Sequence, residues 1–137
     1  MNYYPIIKLR RGKDEAVERF HPWIFSGAIE SAAADLQAGD IVTVVDYKNN
    51  ILGTGFAEAG NIAVKILAFD NRKIDRFFWK ERLEKAFELR KLMGLTDNEH
   101  TNCYRLVHSE GDELPGLIID IYGKTAVVQA QTEGMAL

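Results

Sequence analysis

Three carboxylates, Glu110, Asp112 and Glu113, stand together in "SEGDELPGLIIDIYG" (109–123), just ahead of a Pro-Gly turn and an apolar run. Carboxylates this close can divide acid and base roles when burial or mutual repulsion raises the pKa of one. Glu110 and Asp112, two apart, would point the same way on an extended backbone. No second group of catalytic type accompanies them. Two arginines, Arg82 and Arg90, lie eight apart in a stretch of helical periodicity, on or beside its apolar arc. A guanidinium in that position needs acceptors. It can pair with Glu110, Asp112 or Asp120 in charge-assisted forks, or run its stem along the edge and keep its head in water. We favour pairing. The acidic loop is then an anchor between helix and sheet, or the wall of a cleft.

The other concentration of charge is at the front. Residues 1–20 hold Lys8, Arg10, Arg11, Lys13 and Arg19 against Asp14, Glu15 and Glu18, a net +2, whereas residues 96–122 hold six carboxylates against Arg105, a net −5. The front can face a polyanion by its phosphates. It can equally be a solvated edge strand whose cations guard against aggregation. Trp23 or Tyr47 could stack on a base if exposed, although Trp23 reads as core. His21 precedes Pro22 and suits a helix cap or a local hydrogen bond. His21, His100 and His108 lack metal-ligand spacing. The single cysteine, Cys103, permits neither an internal disulfide nor a cysteine zinc site. "GTGFAEAG" (53–60) has glycines but no helix to open, so no phosphate cradle is expected.

The elements that would position these groups follow from pattern. "YYPIIKLR" reads as a strand with Pro5 at its start or on an edge. "RGKDEAVERF" reads as a charged turn or irregular hairpin. "HPWIFSGAIE" reads as a short helix with Pro22 in its first turn and Trp23, Ile24 and Ala28 or Ile29 inward. "SAAADLQAGD" reads as a loop. Three strands follow at 41–46, 51–57 and 62–68, with Asn49 and Asn50 suited to a tight hairpin and Gly53 and Gly55 marking a close backbone approach or a sharp bend. Residues 71–94 have helical period, with Trp79, Leu83, Ala86, Phe87, Leu89 and Met93 on one arc and Gly94 as the stop. Three further strands are expected at 104–108, 116–122 and 124–131.

A length of 137 residues, net charge −3 and 47% hydrophobic content fit one domain or two small ones. No apolar run approaches the ~20 residues that span a bilayer. The start "MNYYPIIKLRR" lacks a signal pattern, so a cytoplasmic protein with no membrane partner is expected.

"HPWIFSGAI" (21–29), "GDIVTVVDYKNNILGTGFAEAGNIAVKIL" (39–67) and "RLVHSEGDELPGLIIDIYGKTAVVQAQTEGM" (105–135) together resemble the front part of a family of class I SAM-dependent 23S ribosomal RNA cytosine-5 methyltransferases. The resemblance implies an α+β chain: a PUA-like pseudo-β-barrel over 1–70, then a helix and antiparallel strands over 71–137. It implies structured RNA, ribosomal in the family, as the partner, with Arg10, Arg11, Lys13, Arg19 and Lys65 as contacts and the "SAAADLQAG" loop beside them. Lys65 stands where relatives usually carry arginine, so its phosphate contact is a point charge. The family's S-adenosylmethionine and its nucleophilic cysteine belong to a later Rossmann-like domain. This chain is therefore expected to be part of a longer protein, to bind no cofactor and to catalyse nothing by itself. A second copy, in a homodimer, is a further expected partner.

Overall fold

The first half is built from short β-branched runs separated by turn residues. The computed structural model describes residues 4–136. In chain order the elements are β1 (Ile6–Leu9), α1 (Glu15–Glu18), β2 (Trp23–Phe25), β3 (Ile29–Ala32), β4 (Ile41–Val45), β5 (Ile51–Ala57), β6 (Ile62–Ala68), α2 (Arg76–Leu92), β7 (Cys103–His108), β8 (Leu117–Tyr122), β9 (Thr125–Ala130) and α3 (Glu133–Ala136). They divide into two compact units: residues 4–73 with 132–136, and residues 74–131.

The first unit is a curled six-stranded sheet in the order β2-β6-β5-β4-β1-β3. Only β1 and β4 run parallel; every other neighbour is antiparallel. Ile7, Leu9, Val17, Ile24, Val42, Val44, Val64 and Ile66 form the core. The β4–β5 hairpin is set by Asp46. Its carboxylate accepts the N–H groups of Lys48 and Asn50 at 2.9 and 2.8 Å, while Asn49 takes φ 68°. Gly53 and Gly55 face the crossing β6 backbone. A Cβ on Gly53 would sit 2.7 Å from the Ala68 carbonyl, and one on Gly55 would run into the Lys65 carbonyl. Close backbone approach is thus the reason for both glycines. The ring of Phe56, 4% exposed, lies against Gly134, where a Cβ would overlap it. The unit is closed by residues from both ends of the described chain.

Two expectations for this unit are corrected. "HPWIFSGAIE" is not a helix: Trp23–Phe25 is a strand paired to β6, with Trp23 opposite Lys65, followed by a 3-10 turn at Ser26–Ala28 and then β3. Pro22 fixes no helix start, because its carbonyl accepts the Ile66 N–H at 2.7 Å and is part of the sheet. His21 instead makes a local bond, its Nδ1 accepting the Trp23 N–H at 3.2 Å. The segment "RGKDEAVERF" is not a hairpin but carries the single-turn α1, with Val17 buried under it.

The second unit is α2 with the antiparallel sheet β7-β8-β9. The Asp75 carboxylate caps α2, accepting the Phe77 and Phe78 N–H groups at 3.1 Å each. Gly94, at φ +76°, follows its end. The buried stripe of α2 is Phe78, Arg82, Ala86 and Arg90, four residues apart each time. The expected arc is rotated from this: Phe87, Leu89 and Met93 are 41, 45 and 61% exposed. The reason is that both guanidinium heads find acceptors in the loop at 109–113, so their stems take the inward face.

Candidate functional site

The acidic loop is a 3-10 turn, Ser109–Asp112, closed by Glu113 in the left-handed region at φ 61°. The Ser109 hydroxyl accepts the Gly116 N–H at 2.8 Å and ties the turn to the Leu114-Pro115 segment, which is buried. Asp112 is only 4% exposed along its side chain and both of its carboxylate oxygens are engaged. Its Oδ1 and Oδ2 take a two-pronged bond from Arg90 Nη1 and Nη2 at 2.7 and 2.6 Å, and Oδ2 also accepts the His108 N–H at 2.6 Å. Arg90 Nε donates to the Arg105 carbonyl at 2.9 Å. Charge-assisted bonds in this two-pronged geometry fix the loop against α2 and leave the carboxylate turned toward the chain and not toward solvent. Arg82 donates to the Glu113 carbonyl and lies 3.5 Å from the Glu113 carboxylate, which also meets Lys85 Nζ at 3.0 Å.

Of the candidate residues in this unit, Arg90 and Asp112 are brought together and Arg82 reaches Glu113. Glu110 contributes its carbonyl to the turn, accepting the Glu113 N–H at 3.0 Å. Asp120 is elsewhere, on β8, where Arg105 of β7 meets it at 2.7 Å. That arginine holds the Asp120 carboxyl below the usual carboxylate range, and Asp120 in turn raises Arg105. The arrangement is a set of ion pairs in which Arg82 and Arg90 are buried and Arg105 is exposed.

The first unit is arranged otherwise. Arg10, Arg11, Lys13 and Arg19 are exposed and Lys65 is half-buried. Among the described residues none of the five forms an ion pair. Arg10 Nε donates to the Ile29 carbonyl at 3.1 Å, which orients the head without neutralising it. The Arg11 guanidinium lies 5.5 Å from the centre of the Tyr47 ring, and Lys65 Nζ lies 5.5 Å from that of Trp23. Both are cation–π contacts, which leave the charge available. The sheet explains Lys65: on β6 it alternates with the buried Val64 and Ile66 and points outward opposite Trp23.

Sequence reasoning missed Phe25, 52% exposed beside Trp23, because an apolar W-I-F run reads as core in any element. The expected contact loop at 31–39 begins in β3. Within it the Gln37 N–H donates to the Asp40 carboxylate at 3.0 Å.

Comparison with known proteins assigns this first unit. Residues 7–69 match the family model for a PUA-like domain. The first unit is a PUA-like domain. Across 92% of its length the chain is 38% identical to the ribosomal RNA large subunit methyltransferase I of Alteromonas mediterranea and 34% identical to that of Escherichia coli. It is homologous to the N-terminal region of those proteins and spans about a third of the length of each, 32% in both cases. Two solved structures share the fold over 96% of the chain at 15% identity. One is described as a SAM-dependent methyltransferase from Streptococcus mutans (TM-score 0.79, 34% of that chain covered), the other as a methyltransferase complexed with SAH (TM-score 0.80, 33% covered). The PUA-like domain and its curved sheet agree with the α+β architecture expected from the sequence. No described helix is long and apolar enough to cross a membrane.

Proposed function

We propose that the PUA-like domain binds structured RNA through its phosphates, with Arg10, Arg11, Lys13, Arg19 and Lys65 as the contacting cations. The observation that carries this is their freedom from carboxylate partners, in a chain whose net charge is −3. An arginine or lysine already neutralised by a neighbour releases no counterion from a polyanion, and these five are not neutralised. Homology to rRNA methyltransferases supports ribosomal RNA as the class of partner and the cytoplasm as its location.

In the fuller reading, the chain positions RNA for transfer of a methyl group to cytosine carbon 5 by S-adenosylmethionine held elsewhere. We expect this chain not to hold that cofactor itself. β6 runs into a turn where Arg72 pairs with Asp70 at 2.7 Å, and the first N–H groups of α2 are already taken by the Asp75 carboxylate. Cys103 is exposed, and its thiol donates to the side chain of the adjacent Asn102 at 3.4 Å.

The test is titration of the chain with a ribosomal RNA hairpin by fluorescence anisotropy at several salt concentrations. The expected result is binding that weakens linearly in log–log form, by about 0.7–0.9 per phosphate engaged. Absence of binding at low salt overturns the reading. In the same mixture, labelled S-adenosylmethionine is expected to pass no methyl group to the RNA.

A further inference from the structure

The PUA-like domain holds a groove of about 350 Å³ between α1 and the segment from β2 through the 3-10 turn. Its lining includes Lys13, Val17, Trp23, Ile24, Phe25 and Gly27. Val17 and Ile24 are each 3% exposed and make an apolar floor. Trp23 is steadied from two directions, by the edge-on ring of His21 at 6.2 Å and by the Lys65 ammonium. Phe25 sits on an edge strand of the sheet and is open to solvent. Lys13, exposed and without an ion-pair partner, adds a cation to the lining.

Gly27 supplies the second, independent observation. The chain has 11 glycines. Gly12, Gly39, Gly60, Gly94, Gly116 and Gly123 take positive φ, and Gly53, Gly55 and Gly134 are crowded by neighbours closer than a Cβ tolerates. Gly111 has His108 at ordinary contact distance. Gly27 alone has neither a positive φ nor any atom within 4 Å of where a Cβ would lie. Among the described residues, packing does not require the side chain to be missing there. Its absence widens the mouth of the groove.

A pocket near the lower end of the ligand-site range, with an apolar floor, an exposed aromatic ring and cations at hand, suits one flat heteroaromatic ring attached to a phosphate. We infer that this groove receives a single unpaired RNA base, stacked on Phe25, with Lys13 and Lys65 meeting the flanking phosphates. The inference rests on the RNA reading above. It adds that a bulged or looped-out nucleotide is the feature recognised, and not duplex shape alone. A paired base has both faces covered by its neighbours and cannot enter; an extruded one has already lost that stacking.

Two hairpins of identical stem decide it, one fully paired and one with a single bulged 2-aminopurine. The expected result is tighter binding of the bulged RNA and a change in 2-aminopurine fluorescence on binding. Phe25→Ala is expected to weaken the bulged complex by about tenfold or more. Gly27→Leu, which fills the mouth, should weaken it comparably. Both variants should bind the paired hairpin as the parent chain does and melt within about 3 °C of it, since each alters a surface position. If neither hairpin binds, the RNA reading itself fails. If both bind equally with normal salt dependence, and the two variants leave binding unchanged, RNA binding stands and the groove assignment is overturned.

Discussion

Three arginines near the start of the chain and three in the second unit have opposite occupations. In the second unit Arg82, Arg90 and Arg105 are engaged with Glu113, Asp112 and Asp120, and the first two are buried with their heads. In the PUA-like domain Arg10, Arg11 and Arg19 are exposed, and none has a carboxylate within ion-pair distance among the described residues. Arginine content alone therefore says little about partners. What separates a structural cation from an available one is whether the fold supplies its counter-charge.

The largest effect that could break this contrast is at Arg90. Arg90→Ala leaves Asp112 buried without its partner, and loss of one member of such a pair costs about 3–5 kcal/mol. Urea denaturation followed by circular dichroism should show that loss, with RNA affinity unchanged under folding conditions. An unaltered midpoint would mean that the pair anchors nothing.

The converse change is Arg10, Arg11 and Lys13 replaced together by alanine. Stability should hold, since surface substitutions usually stay within about 0.5 kcal/mol each. The log–log salt dependence of RNA binding should flatten by about two to three units, one phosphate contact per cation. A slope equal to that of the parent chain would place the contacts elsewhere.

A smaller effect is set by pH at Asp46. Burial pushes this carboxyl up, but the hydrogen bonds from Asn50 and Lys48 together outweigh it and hold the pKa below its ordinary value of 3.8. The stability it contributes is therefore complete above that value and is lost as pH falls through the lower folded-state pKa. Asp46→Asn should remove that part of the acid dependence, measured as the change in melting temperature between pH 5 and pH 3. An identical acid profile would show that the hairpin does not need the charge. The smallest effect belongs to Lys85, whose bond to Glu113 joins two side chains that are 66 and 52% exposed. Lys85→Ala should cost no more than about 1 kcal/mol in the same urea experiment.

What could be read in the sequence depended on whether the signal was local. β4, β5 and β6 were legible because β-branched runs end at turn residues; Gly53 and Gly55 signalled a close approach or a bend, and only the pairing of β5 with β6 decides for the first. β2 was not legible. Trp23, Ile24 and Phe25 are apolar in any element, and only pairing with the distant β6 decides between strand and helix. The inward face of α2 was misjudged because a count of apolar residues treats arginine as a solvent residue. Arg82 and Arg90 enter that face only because Glu113 and Asp112 await them. Pattern could suggest the pairing of Arg90 with Asp112, but not that Arg105 would claim Asp120 across β7 and β8. The groove beside Phe25 had no sequence signature, since it forms only once β2 and α1 are placed.

The meeting of Phe56 with Gly134 has a consequence for the order in which the protein is made. Strands β1 to β6 leave the ribosome first, yet the cover for the Phe56 ring is synthesised only after the whole of the second unit. At about 5–20 residues per second, the nascent barrel spends several seconds without this contact on its aromatic ring. A chain cut short after Gln131 would keep every described strand and lose that contact permanently, leaving one side of the ring for chaperones and proteases to find.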